Sequence, residues 1–349
     1  MKIEHIELRY VSLPMVVPFR TSFGTSHDKE TFLLRVVTSE AEGWAECAAE
    51  PGPLYSSEFL RGAEIVLTEQ LVPRLMALGP ALGAERVRTA LAPVKGHPMA
   101  KHVLETAVLD AELKALGVSF ARHLGAVRDR VPAGVSVGIM DSLPELLDTV
   151  DGYLAEGYLR IKLKIEPGWD VQPVRAVREA FGYEVPLQVD ANTAYTLADA
   201  RHLARLDEFD LLLIEQPLPD DDLLGHAELA RLIRTPVCLD ESITSARVGG
   251  YLEARRIHDL AEANGVPVWC GGMLESGIGR APNVALAALP NFVLPGDTSA
   301  SRRYFAQDVT APFELEDGHL SVPTGPGIGV QVLDDVLEQV TVSTTSIPP

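Results

Sequence analysis

The chain has 349 residues, 46% of them hydrophobic, and its 30 Lys and Arg against 49 Asp and Glu give a formal net charge of −19. That balance excludes nucleic acid and anionic membrane surfaces as partners, since both need clustered cations, and leaves small molecules. The length supports a large core divided into two domains. Cys47, Cys238 and Cys270 are odd in number and lack metal-type spacing, which points to a reducing cytoplasm. The first ten residues alternate and carry Glu4 and Glu7, unlike a signal peptide, and no run is long and apolar enough to span a bilayer.

In chain order, 3–13, 31–38 and 43–49 read as strands of an antiparallel meander. Between the first two, 18–26 reads as a polar loop with Arg20 and Phe23, suited to serve as a lid over a neighbouring site. From Ser56 to Gly117 the apolar spacing becomes helical, enough for three helices. A parallel barrel starts near Val131, with strands expected at 134–139, 158–165, 186–192, 211–217, 236–242, 267–273 and 292–297. Turn-rich β-type sequence from Leu320 to Val332 is expected to return to the first domain. The division is therefore 1–120 as an α+β cap, 121–312 as the barrel, and 313–349 as a returning segment.

Three carboxylates end successive apolar runs at 25-residue intervals: Asp190, Glu215 and Asp240. The interval matches one βα unit, so each acid falls at the C-terminal end of a strand, the face where barrel enzymes place their chemistry. A lone strand-end Asp is as often the cap of the next helix. Three acids in register instead suit a hard divalent cation such as Mg²⁺. One strand earlier, Lys162 and Lys164 are two residues apart and so face the same side. Two inward lysines are costly as structure, but beside an anionic cluster one can lower the other's pKa and leave it competent as a base.

Together these residues resemble the enolase superfamily. The resemblance rests on Lys162-Leu163-Lys164, Asp190-Ala191-Asn192, Glu215-Gln216-Pro217 and Asp240-Glu241-Ser242. It extends through 271–279, through Gly296-Asp297-Thr298-Ser299-Ala300, and through 18–24. Within the superfamily it is strongest to the o-succinylbenzoate synthase and N-acylamino acid (N-succinylamino acid) racemase family of the muconate-lactonizing branch. That resemblance implies an α/β fold, an enolase-type modified (β/α)7β barrel with an α+β capping domain. It implies Mg²⁺, or Mn²⁺ or another divalent cation in its place, held by Asp190, Glu215 and Asp240. Lys164 becomes the base, and Lys162 lowers its pKa and orients a substrate carboxylate. Substrate contacts are expected from Arg20, Phe23, Ser136, Asn192, Met273, Glu275, Gly277 and Ile278. The implied activity is a metal-dependent hydro-lyase, o-succinylbenzoate synthase of menaquinone biosynthesis, in a cytoplasmic homo-oligomer. N-succinylamino acid racemase is the alternative, with a non-catalytic truncated relative as the reading from another class.

The chain departs from that family at one place. Only seven barrel strands can be counted, and Asp240 and Trp269 lie 29 residues apart with one helical pattern, 250–264, filling most of the span. Family members typically carry an Asn-Ile-Lys-Pro-Gly-Arg type segment before Val-Gly-Gly, whereas here Val248-Gly249-Gly250 follows Ser245-Ala246-Arg247 directly. No lysine follows Lys164 in the whole sequence. One deleted βα unit between Arg247 and Val248 accounts for both losses, and it predicts impaired activity.

Overall fold

The computed structural model describes residues 1–243 and 249–348. Its strands are β1 (Ile3–Thr21), β2 (Gly24–Thr38), β3 (Glu42–Glu46), β4 (Arg130–Pro132), β5 (Gly134–Val137) and β6 (Arg160–Lys164). They continue with β7 (Leu187–Asp190), β8 (Ile214–Glu215), β9 (Val237–Cys238), β10 (His319–Ser321) and β11 (Thr341–Ile347).

Alternation in β1 and β2 buries Ile6, Leu8, Phe32 and Leu34 on a shared core and builds an antiparallel sheet in the order β11-β1-β2-β3. The helix Pro98–Leu116 packs against it, closely enough that a Cβ on Gly43 would lie 1.9 Å from the Ala107 carbonyl oxygen. The residues read as a lid loop form the tip of this sheet instead. Phe19 pairs with Ser26, Arg20 with Thr25 and Thr21 with Gly24, around a turn at Ser22 and Phe23.

The chain's last segment returns to the cap. β11 pairs with β1 and the Phe120 amide donates to the Gly327 carbonyl at 2.7 Å, while β10 pairs with β4 on the barrel side. Fully buried Asp110 joins three parts of the chain, accepting from the Trp44 and Ile328 amides at 2.8 and 2.7 Å and from Lys114 Nζ at 2.8 Å. Asp110→Ala leaves two buried amides without an acceptor, and denaturant titration is expected to show a loss of about 3 kcal/mol.

The second domain is a parallel sheet ordered β5-β6-β7-β8-β9, with helices between successive strands. Local sequence sets the helix ends. Leu143–Glu156 starts at Ser142, whose hydroxyl accepts from the Glu145 amide, and stops at Gly157 in the left-handed conformation. Ile161 and Leu163 of β6 are buried in the apolar core, while Arg160, Lys162 and Lys164 share the other, inward face.

Beyond β9 the strands expected at 267–273 and 292–297 reduce to isolated parallel bridges, Val268 to Phe292 and Gly296 to Ala133. The second of these closes the sheet onto its first strand, with the Gly134 amide donating to the Gly296 carbonyl at 2.7 Å. Among the described residues no ladder joins β9 to 267–270. Trp269 Nε1 instead reaches Cys238 Sγ at 3.2 Å. A segment rich in Gly and lacking a strand on one side has no second ladder to regularise it. The inferred junction between Arg247 and Val248 lies outside the described residues.

Candidate active site

Parallel register sets the site. Lys164 is the Cα partner of Asp190, Asp190 of Glu215, and Glu215 of Cys238. Partnered residues face the same side, so one inward row carries Lys164, Asp190 and Glu215, and Asp240 follows two residues beyond Cys238. Ser136, partnered with Lys162, adds a hydroxyl at the floor.

The charges interlock. Lys164 Nζ donates to Asp190 Oδ2 at 2.6 Å and to Asn192 Oδ1 at 2.7 Å. Lys162 Nζ lies 3.2 Å from Asp190, 2.9 Å from Glu215 and 2.5 Å from Asp297, under the face of Trp269. Burial opposes the Lys162 charge, but Asp297, Glu215 and Asp190 outweigh it and hold its pKa well above the usual lysine value. It is a fixed cation. Burial likewise opposes the charge of Asp190, yet Lys164 and Lys162 bring its pKa down to about 2. Glu215 goes the other way: burial and repulsion by Asp190, with Asp240 and Asp297 adding to it, push its pKa well up despite Lys162. Asp190 and Glu215 meet at Lys162, and Asp240 is near enough to repel Glu215, so the hard oxygen donors that a divalent cation takes stand at one end of the sheet.

These residues line a cavity of about 70 Å³, together with Phe19, Thr21, Phe23, Tyr55, Met273 and Leu274. The expected contacts Phe23, Ser136, Asn192 and Met273 are therefore at the cavity. Four others are not. Arg20 points outward to Asp141 and Glu166 at 3.2 and 3.4 Å, because hairpin alternation puts buried Phe19 and Thr21 inward. Glu275 turns back to accept from the Met273 amide and from Asn283. Gly277 and Ile278 belong to the helix Gly277–Ala287, and Ile278 is fully buried in the apolar core.

Sequence reasoning left three residues without a role. Asp297 joins Lys162 to Arg160, at 2.8 Å from the guanidinium. Glu241 accepts from Asn192 Nδ2 at 2.9 Å, and burial with Asp240 and Asp190 close by raises its pKa to about 8. Tyr55 donates to Asp240 Oδ2 at 3.2 Å. Glu241 and Asp297 stood inside the recognised motifs and were legible as buried acids; Tyr55, on an irregular stretch of the cap, gave no signal. A larger cavity, about 380 Å³, sits beside Arg88, Glu105 and Glu253 and brings together none of this chemistry.

Residues 5–125 match the mandelate racemase / muconate lactonizing enzyme N-terminal domain, and 145–247 with 243–336 match the enolase C-terminal domain-like family. The chain belongs to the enolase superfamily. It is 62% identical to an N-succinylamino acid racemase of an Amycolatopsis species, covering 98% of each chain. It is 46% identical to an o-succinylbenzoate synthase of Geobacillus kaustophilus, covering 95% of this chain and 93% of the relative. A solved enolase-superfamily structure from Listeria innocua superposes with a TM-score of 0.94 at 39% identity, covering 100% and 99% of the two chains.

Such enzymes act on small molecules and use a divalent metal. Among the described residues no helix is long and apolar enough to cross a membrane. The C-terminal domain match divides at 243–247, where the unit was counted missing. The Amycolatopsis match runs over 361 positions, of which 98% of this 349-residue chain fills about 342, so about 19 positions have no counterpart here.

Proposed function

We propose that the chain is an o-succinylbenzoate synthase, a metal-dependent hydro-lyase, working at reduced capacity with Lys164 as its single base. The observation that carries the reading is Lys164, hydrogen-bonded to Asp190 and Asn192 in the anionic row, with no lysine after it in the sequence. Asp190, Glu215 and Asp240 would hold Mg²⁺, which supplies stabilisation of the negative charge that gathers on a substrate carboxylate.

The chain's own residues perform the rest. Lys164 Nζ takes the α-proton as the C–H bond breaks, and the same proton leaves with the departing hydroxyl as water. Lys162, bound by three carboxylates, keeps a positive charge beside the substrate carboxylate throughout. The reading keeps 1–120 as the cap, 121–312 as the barrel and 313–349 as the returning segment. Its setting is a cytoplasmic homo-oligomer. N-succinylamino acid racemase is the second reading, favoured by the 62% identical relative.

Assaying the purified protein with the synthase substrate and with an N-succinyl amino acid tests both readings, and turnover of neither rejects them. Asp190→Asn, Glu215→Gln and Asp240→Asn each remove one anionic ligand of three. Calorimetry is expected to show Mg²⁺ affinity falling about 10-fold or more in each. Unchanged affinity in all three would remove the metal assignment.

A further inference from the structure

The wall of the cavity formed by Met273 and Leu274 is held in a strained shape. Leu274 has φ 58°, a left-handed conformation unfavourable for a residue with a branched side chain, and such strain persists only where the surroundings impose it. Those surroundings come from both domains. The helix Gly277–Ala287 begins at Ser276, immediately after the wall. Glu46, at the end of capping strand β3, extends Oε2 to the Ser276 amide at 3.0 Å, the Ser276 hydroxyl at 2.6 Å and the Gly279 amide at 3.3 Å. Glu46 and Ser276 are buried, so the two Ser276 donors have no water to replace a lost acceptor. On the barrel side, Asp308 accepts from the Gly277 amide at 2.9 Å and Arg280 donates to the Glu275 carbonyl at 2.7 Å.

Glu46 also stands near buried Lys29, whose Nζ lies 3.3 Å from Glu50, and Glu50 lines the same cavity.

We infer that Glu46 is a positioning residue through which the capping sheet sets the Met273 and Leu274 wall against the substrate. It touches no reacting atom and acts through Ser276. The ligand-binding part of the inference rests on the proposed function; the mechanical part does not.

The test uses the full chain with two measurements, amide hydrogen exchange over 271–280 and calorimetric binding of o-succinylbenzoate with Mg²⁺ present. Glu46→Ala leaves two buried donors of Ser276 and the part-buried Gly279 amide without that acceptor, so exchange at 272–276 is expected to rise about 10-fold or more while β7 keeps its protection. Glu46→Gln retains a carbonyl oxygen facing Ser276 and is expected to restore slow exchange. In the same pair, o-succinylbenzoate affinity is expected to fall about 10-fold in the alanine variant and to return in the glutamine variant, with Mg²⁺ affinity level in both. Unchanged exchange in Glu46→Ala, or equally fast exchange in both variants, overturns the inference. If the alanine variant does not fold, Ser276→Ala removes only the hydroxyl, and unchanged exchange there overturns it equally. Wild-type protein that fails to bind o-succinylbenzoate counts against the proposed function, while the exchange measurement still decides the role of Glu46.

Discussion

An N-succinyl amino acid kept with the protein and Mg²⁺ in deuterated water is expected to exchange its α-proton and keep its configuration. Removal of the proton leaves a planar carbon, and inversion then requires an acid on each face. Lys164 serves one face, and the sequence holds no later lysine to serve the other. A missing acid or base typically costs about 10² to 10⁴ in rate, so the mirror-image form should accumulate at least about 100-fold more slowly than deuterium enters. Lys164→Ala should abolish exchange to a similar degree. Dehydration needs only one such group, which is why the synthase reading survives where racemisation does not. NMR for exchange and chiral chromatography for configuration, run on one sample, decide the matter. Equal rates of exchange and inversion would show a second acid in the site and refute the one-base reading.

What the sequence disclosed about the site follows from periodicity. Asp190, Glu215 and Asp240 were legible because strand ends recur with the βα unit, and Lys162 with Lys164 because inward positions recur every second residue. The structure sets Lys164, Asp190 and Glu215 in one row. Side chains outside regular strands carried no comparable signal. Arg20 lies at the end of β1, in a stretch read as a loop, so the alternation that turns it outward between Phe19 and Thr21 was not applied to it. Glu275 and Gly277 lie one and three residues beyond Leu274, yet a hydrogen bond back to Met273 and helix packing claim them. Hairpin pairing across 19–26 is a contact between segments, three residue pairs around a turn at Ser22 and Phe23, and a reading of the stretch as a polar loop does not find it. Tyr55 reaches Asp240 across 185 residues, a distance no local pattern spans.

Restoring the missing unit should have the larger effect on the whole protein. About 19 positions of the Amycolatopsis alignment have no counterpart in this chain, and among the described residues no further strand pairs with β9 beyond β8. A strand returned between β9 and 267–270 would form ladders on both sides. At roughly 1 kcal/mol net for each of about five hydrogen bonds, the gain is about 5 kcal/mol, enough to raise Tm by about 10 °C. The gap also bears on the cavity. Ligand sites commonly hold about 300 to 1,000 Å³, whereas the cavity at Lys164 holds about 70 Å³. Trp269 stands between Cys238 and the inward cations, with its ring 4.9 Å from Lys162 Nζ. A strand beside β9 would separate Trp269 from Cys238 and widen that space. Inserting the relative's segment between Arg247 and Val248 is therefore expected to raise Tm, strengthen o-succinylbenzoate binding and introduce inversion alongside exchange. A gain in Tm without inversion would mean that the segment repairs the sheet but brings no second acid to the site. No gain in either would mean that the seven-strand form is already closed, and that the reading of a lost unit is wrong.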